Sequence, residues 1–316
     1  MWRYVLRRLL ILIPVLVLVS VIVFLIAHAT PGDPIRTILG EEATPESVQE
    51  LRTKLGLDQP LPVQYALWAQ RAVTGDFGKS LRDGQPVTQA ILERLPATIE
   101  LGLAAVLFSL LIALPLGIIS AVKRNTWADG FATFFSLLGV SIPNFVLGIL
   151  LILFLSYYWR IFSPGGYVPV EEDLGENLKH LVLPAITLGA ASAAVNTRQL
   201  RSAMLDVLSQ DYIRTAHAKG LRSGLILTRH ALRNALIPLV TVVGLQIGTV
   251  LEGAFVTETI FSWPGIGQLA VKSIGNRDYP VIQGVVLLSA LIYMTINLLV
   301  DISYTLIDPR IKLSNA

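Results

Sequence analysis

The residues fall into long apolar blocks separated by short charged segments, and this pattern limits what the chain can fold into. A helix needs about 20 apolar residues to cross the hydrocarbon core of a bilayer. Leu9–Ala29 and Leu101–Val122 reach that length. Phe131–Tyr158 exceeds it and is interrupted by Pro143-Asn144. Leu181–Val195 is shorter and rich in Gly, Ala and Ser, and is expected to continue as helix on both sides. Ala235–Val256 contains Pro238 and Glu252, and Val281–Leu306 contains Asn297 and Asp301. Only 15% of residues are charged, against about 25% in ordinary soluble domains, so six spans fit better than one large aqueous core. The chain has no cysteine, which excludes disulfides, thiolate catalysis and Cys-ligated zinc.

Orientation follows from the placement of Lys and Arg in the flanking loops. With the N-terminus inside, the cytoplasmic loops carry fourteen of them: Arg3, Arg7, Arg8, Lys123, Arg124, seven within 198–233, Arg310 and Lys312. The two short outer loops carry four, Arg160, Lys179, Lys272 and Arg277. Both termini are therefore expected in the cytoplasm, residues 1–30 being the N-terminus and first span, and 307–316 a cytoplasmic tail. Arg3 to Ala29 imitates a secretory signal, but its apolar run is longer than the roughly 7–15 residues of a signal core, so it reads as a retained span.

Residues 31–96 are polar, with Pro-Gly-Asp-Pro at 31–34 and helical patterning after Pro45, and are expected to form a small helical extracytoplasmic domain. Residues 97–306 are then the core. Within the outer segment VTGDFGKS (73–80) imitates a phosphate-binding loop. That loop needs Gly where Val73 stands, and no buried strand precedes it, so the stretch reads as a Gly-rich turn.

The stretch DYIRTAHAKGLRSGLILTRHALRNALIP (211–238) lies in the cytoplasmic loop 198–234 and enters the fifth span. Asp211 is a candidate N-cap and Gly220 a candidate stop, leaving Tyr212–Lys219 as two helical turns about 12 Å long. Ser223 is expected to cap a second helix that runs through His230 and Asn234. The small residues Ala216, Ala218 and Gly220 would let a partner's backbone come close. A solvated basic loop obeying the positive-inside rule is the other reading these residues allow.

DYIRTAHAKG followed by RHALRNALIP resembles the cytoplasmic "EAA" loop of binding-protein-dependent ABC importer permeases of the dipeptide/oligopeptide group. Arg214 stands where the motif's name implies Glu, and Gly220 is farther from Pro238 than in amino-acid or sugar permeases; both features fit the peptide-type branch. The resemblance extends over the chain, through RRLLILIPVLVLVSVIVFLIAHATPGDP, GDFGKS, LPATIELGLAA (95–105), TETIFSWPGIGQL (257–269), RDYPVIQGVVLL (277–288) and NLLVDISYTLIDPRIK (297–312). It implies an all-α polytopic protein of the bacterial plasma (inner) membrane, with a type I ABC importer permease core. It further implies a second homologous permease, two cytosolic ATPases that hold ATP and Mg, and an extracytoplasmic substrate-binding protein; this chain itself would hold no cofactor. Tyr212, Arg214, Thr215, Ala216, His217, Lys219 and Gly220 would form the coupling helix seated on an ATPase. Relatives carry dipeptides, longer peptides, glutathione or nickel chelates.

Polar residues at membrane depth usually face a cavity or a bundle interior. Asn144, Gln246, Glu252 and Asn297 are the candidates for a substrate path, with Pro143-Asn144 breaking its span beside them. Gly244 and Gly248 suggest close helix packing. No His-Glu-x-x-His, Gly-x-Ser-x-Gly or matched pair of mid-span Asp supports an intramembrane enzyme, no repeat between the halves supports a secondary transporter, and the four His have no metal-ligand spacing.

Overall fold

The protein is described by a computed structural model covering residues 2–29, 44–54, 56 and 58–307; the side chains of 2–9, 27, 29, 51, 54, 249, 251, 252 and 301–307 lie outside that description. The turn at 31–34 and residues 308–316 of the expected tail are also outside it. All six apolar stretches are helical. Helix α1 is Trp2–Ala29, α2 Pro45–Lys54, α3 Leu61–Val73 and α4 Val87–Val122. Helix α5 (Trp127–Ser141) and α6 (Asn144–Leu151, continuing as π-helix over Ile152–Tyr158) meet at a bend of 105°. Helix α7 is Leu174–Leu208. Helix α8 (Asp211–Ala218) and α9 (Ser223–Leu225) lead through a π-helical stretch, Ile226–Leu232, into α10 (Arg233–Ile260). Helices α11 (Ile266–Gly275) and α12 (Tyr279–Ile307) complete the described chain. Among the described residues, four helices are long and apolar enough to cross a membrane, or five if the bent pair counts as one, and α1 adds the shorter apolar run Leu10–Ile26.

Two compact units are present. The first contains residues 1–97 and 264–295. In it α3 packs on α1 through Tyr65 and Trp68 against Phe24, and the Ser20 and Tyr65 hydroxyls lie 2.8 Å apart. The 73–80 stretch follows helix α3 and turns, with Gly75 and Gly78 at positive φ and one bridge between Lys79 and Pro86. Asp278 is buried and accepts from the Ser80 hydroxyl at 2.5 Å and the Leu81 N–H at 3.1 Å. That pair joins the turn to the start of α12, within the same unit.

The second unit contains residues 98–263 and 296–316, and α7 is its central element. At 35 residues α7 is about 52 Å long, well beyond a hydrocarbon core of about 30 Å. Half of its most apolar window is buried, against 22–28% for the other long spans. Its neighbours approach it at glycines. A Cβ on Gly189 of α7 would lie 2.5 Å from the Ala105 carbonyl oxygen of α4. One on Gly139 of α5 would lie 3.0 Å from the Ala194 Cβ, and one on Gly148 of α6 3.1 Å from Thr187 Cγ2. One on Gly253 of α10 would lie 2.9 Å from Leu188 Cδ1. At the N-terminal end of α7, Glu100 accepts from Tyr167 (3.0 Å) and Asn177 (2.6 Å), and the Tyr167 ring meets Trp263 edge-on.

Replacing Gly189 with Val should push α4 off α7 and destabilise the protein by about 1–3 kcal/mol, the usual range for overpacking. The thermal midpoint of Gly189→Val should fall, while that of Gly130→Val, where a Cβ meets nothing within 4 Å, should not. Equal midpoints would remove the case for this close contact.

Candidate coupling loop and span polar residues

The basic loop is built as a hairpin of helices that follows α7 and leads into α10. Because α7 runs to Leu208, residues 198–208 of the expected loop are helix. Helix α8 spans Asp211–Ala218, one residue earlier at each end than Tyr212–Lys219. Asp211 is therefore its first helical residue and not its cap; Gln210 holds the N-cap position without a side-chain bond. Asp211 instead faces Arg214 at 3.4 Å, with both side chains exposed. Ser223 likewise begins α9 and does not cap it, Arg222 standing in the N-cap position.

The C-terminal end of α8 matches its sequence signal. Gly220 has φ +74°, its N–H bonds the His217 carbonyl at 2.9 Å, and the Leu221 N–H bonds the Ala216 carbonyl at 3.3 Å. These are the two bonds of a Schellman motif, which needs a left-handed residue at that position and so favours glycine. The chain then returns through the π-helical stretch. Pro238, inside α10, lacks the N–H that would bond the Asn234 carbonyl four residues back. The Asn234 side chain donates to the Tyr212 hydroxyl at 2.9 Å and so ties α10 to α8.

The faces of α8 divide cleanly. Ile213 (2% exposed) and Ala216 (7%) point inward and join one apolar cluster with Ala121 of α4, Leu200, Ala203 and Met204 of α7, Ile226, Ala231, and Ala235 and Leu239 of α10. Tyr212, Arg214, Thr215, His217, Lys219 and Gly220 are exposed. The expectation that Ala216 opens a surface for a partner's backbone is therefore corrected. Its methyl packs against this chain's own core, because it sits three residues after Ile213 on the same helical face. Ala218 and Gly220 remain on the exposed side.

Of the span candidates, Asn144 follows the Pro143 corner and is half-buried, with its amide nitrogen 3.8 Å from where a Gly253 Cβ would lie. That places α6 beside the part of α10 that carries position 252, although the Glu252 side chain is outside the described residues. Gln246 and Asn297 are half-buried. Several polar groups not singled out from sequence are fully buried. Glu258 accepts from Thr98 at 2.7 Å, and Asn196 donates to Ser109 at 3.3 Å while its carbonyl oxygen has no partner. Asp129 accepts both ends of the Arg201 guanidinium. Nothing local marks that pair, because its members lie 72 residues apart. Among the described residues no group of three or more His, Cys, Asp or Glu could hold a metal ion.

Residues 113–313 match the family described as binding-protein-dependent transport system inner membrane component, and residues 1–102 match the N-terminal part of such membrane components. A dipeptide transport system permease protein, DppB, of Alkalihalophilus pseudofirmus is 45% identical over 99% of this chain and 100% of its own length. A glutathione transport system permease protein, GsiC, of Escherichia coli is 44% identical over 99% of both chains. Among solved structures, a chain of the MetNI methionine ABC transporter in an inward-facing conformation superposes with a TM-score of 0.55 at 18% identity, covering 69% of this chain and 95% of that one.

Replacing Ala216 with Trp should lever α8 off Leu200, Met204 and Ile226, since a buried small-to-large change costs about 1–3 kcal/mol. Tryptic cleavage after Arg214 and Lys219 should then rise relative to the parent protein. An unchanged digestion pattern would show that the inward face is not tightly packed.

Proposed function

The chain belongs to the binding-protein-dependent transport system inner membrane component family, and on that footing we propose that it is a peptide-carrying permease subunit of an ATP-driven importer. Full-length identity of 45% to a dipeptide permease carries this reading. Such chains are transporter subunits, not enzymes, and they work in a complex with an ATPase and a binding protein. In the proposed complex this subunit encloses half of the path, and a second homologous permease encloses the other half. Two cytosolic ATPases hold ATP and Mg. Glutathione, itself a short peptide, is the alternative cargo, supported by 44% identity to a glutathione permease.

The exposed face of α8, with Tyr212, Arg214, Thr215, His217, Lys219 and Gly220, is proposed to seat on an ATPase subunit. Its capped end and its anchorage to α7 and α10 support that role, because a short helix can pass on a displacement only if it is held rigidly. Residues 31–96 are proposed to face outward, both termini to face the cytoplasm, and Asn144, Gln246, Glu252 and Asn297 to line the substrate path. Moving peptide amides through hydrocarbon without partners costs several kcal/mol per group, so a path needs water or polar side chains.

Purification through a tag on this chain should bring down ATPase subunits and a second permease in fixed ratio. Vesicles holding that complex and its binding protein should take up labelled dipeptide only with ATP. Recovery of this chain without an ATPase, or uptake that ignores ATP, would rule the reading out. Preference for glutathione over dipeptides in the same vesicles would select the alternative.

The path assignment has its own check. A Glu252→Cys variant, in a chain that has no other cysteine, should react with a water-soluble thiol reagent in at least one state of the cycle. Protection in every state would remove residue 252 from the path.

A further inference from the structure

The polar junction at Asp129 has no part in the function proposed so far, yet its carboxylate accepts four hydrogen bonds. Asp129 lies in the first turn of α5 and is 6% exposed. Arg201 of α7 meets it with two parallel bonds, Nε to Oδ1 and a terminal guanidinium nitrogen to Oδ2, both 2.8 Å. The Ser120 hydroxyl of α4 donates to Oδ1, and the backbone N–H of Asn125 donates to Oδ2 at 3.0 Å. Asn125 is held at φ +62°, which turns its N–H toward the carboxylate between α4 and α5. Three helices thus converge on one anion. The paired fork geometry fixes orientation as well as distance.

The junction borders the cluster that holds α8. Ser120 precedes Ala121, and Arg201 follows Leu200; Ala121 and Leu200 pack in the same cluster as Ile213 and Ala216 of α8. Helix α5 itself has no member in that cluster. Its packing on α7 includes the small-residue contact of Gly139 with Ala190 and Ala194, and the Asp129 junction near its start adds the polar fastening. We propose that the Asp129–Arg201 pair is a positioning device that fastens α5 to the platform of α8. A displacement of α8 is thereby delivered to the first half of the broken span, and along it to the Pro143-Asn144 corner. The inference rests on the coupling role given to α8 above.

The test uses the whole complex in lipid with its binding protein. In an otherwise parental chain, spin labels at Trp127→Cys and Gln210→Cys, both exposed positions, report on α5 and on the start of α8. Their separation should stay constant between the resting and ATP-trapped states, because the two helices move together. Adding Arg201→Gln should make that separation change or broaden between states. In parallel, Asp129→Ala should lower the stimulation of ATP hydrolysis by loaded binding protein about tenfold, within the usual range of coupling between sites. The exchanged pair Asp129→Arg with Arg201→Asp should recover part of it. A separation that changes between states in the parental chain overturns the proposal, whatever the variants do. Full stimulation in an assembled Asp129→Ala complex overturns it as well. If the parental complex itself shows no stimulation by its binding protein, the coupling role of α8 fails first, and the fastening role fails with it.

Discussion

Backbone-close packing on α7 is the constraint on which the second unit depends. Lipid chains are as apolar as leucine, so helices in a bilayer gain little from hiding apolar side chains from each other. Their association rests on van der Waals contact, which improves as backbones come closer. Here α4, α5, α6 and α10 each reach α7 at a glycine or against one, and the run Thr187–Asn196 of α7 is itself mostly Gly, Ala and Ser. Small side chains place Asn144 near Gly253, and the C-terminal parts of α4 and α7 meet in the apolar cluster that holds the basic loop. A bulky residue anywhere along this seam would therefore move both the proposed path and the proposed coupling surface.

The loop proposed to couple to an ATPase shows how one short helix presents two different faces. Its eight residues give just over two turns, so only Ile213 and Ala216 can face the core. The charged and hydroxyl side chains are then directed outward by the helical period alone. Gly220 ends the helix sharply and lets the chain turn back toward α10. The Asn234–Tyr212 bond and the apolar cluster hold the hairpin to α7 and α10. Rigidity on the inner face and availability on the outer face come from the same eight positions.

The apolar blocks, the break at Pro143-Asn144 and the stop at Gly220 were legible in the sequence, because each follows from a property of a few adjacent residues. Hydropathy sets span length, proline removes a donor, and glycine tolerates positive φ. Details set by tertiary contact were not legible. Asp211 and Ser223 looked like caps, but the helices start on them and not after them. Ala216 looked available to a partner, yet only the position of Leu200 and Met204 shows that its face is already filled. Residues 264–295 gave no sign of belonging with the N-terminal unit, because the Ser80–Asp278 bond joins positions 198 apart. The close approach at Gly189 of the fourth span depends on where the Ala105 carbonyl of α4 lies, which no local pattern reveals.

The polar groups of the second unit divide by whether their bonding capacity is already used. Thr187 and Thr197 bond back to carbonyls four residues earlier, which satisfies the hydroxyls inside a dry seam. Glu258 is bonded by Thr98, and Glu100 by both Tyr167 and Asn177. A peptide in transit cannot replace such partners without leaving a buried group unmet, at a cost of about 1–3 kcal/mol each. These residues therefore hold helices together and are poor lining for a path. Asn144 and Asn297 are half-buried, which suits the path-lining role proposed for them better than full burial would. An importer must release what it admits, and a path offering a few such groups among apolar walls meets that requirement better than one lined with strong binding sites.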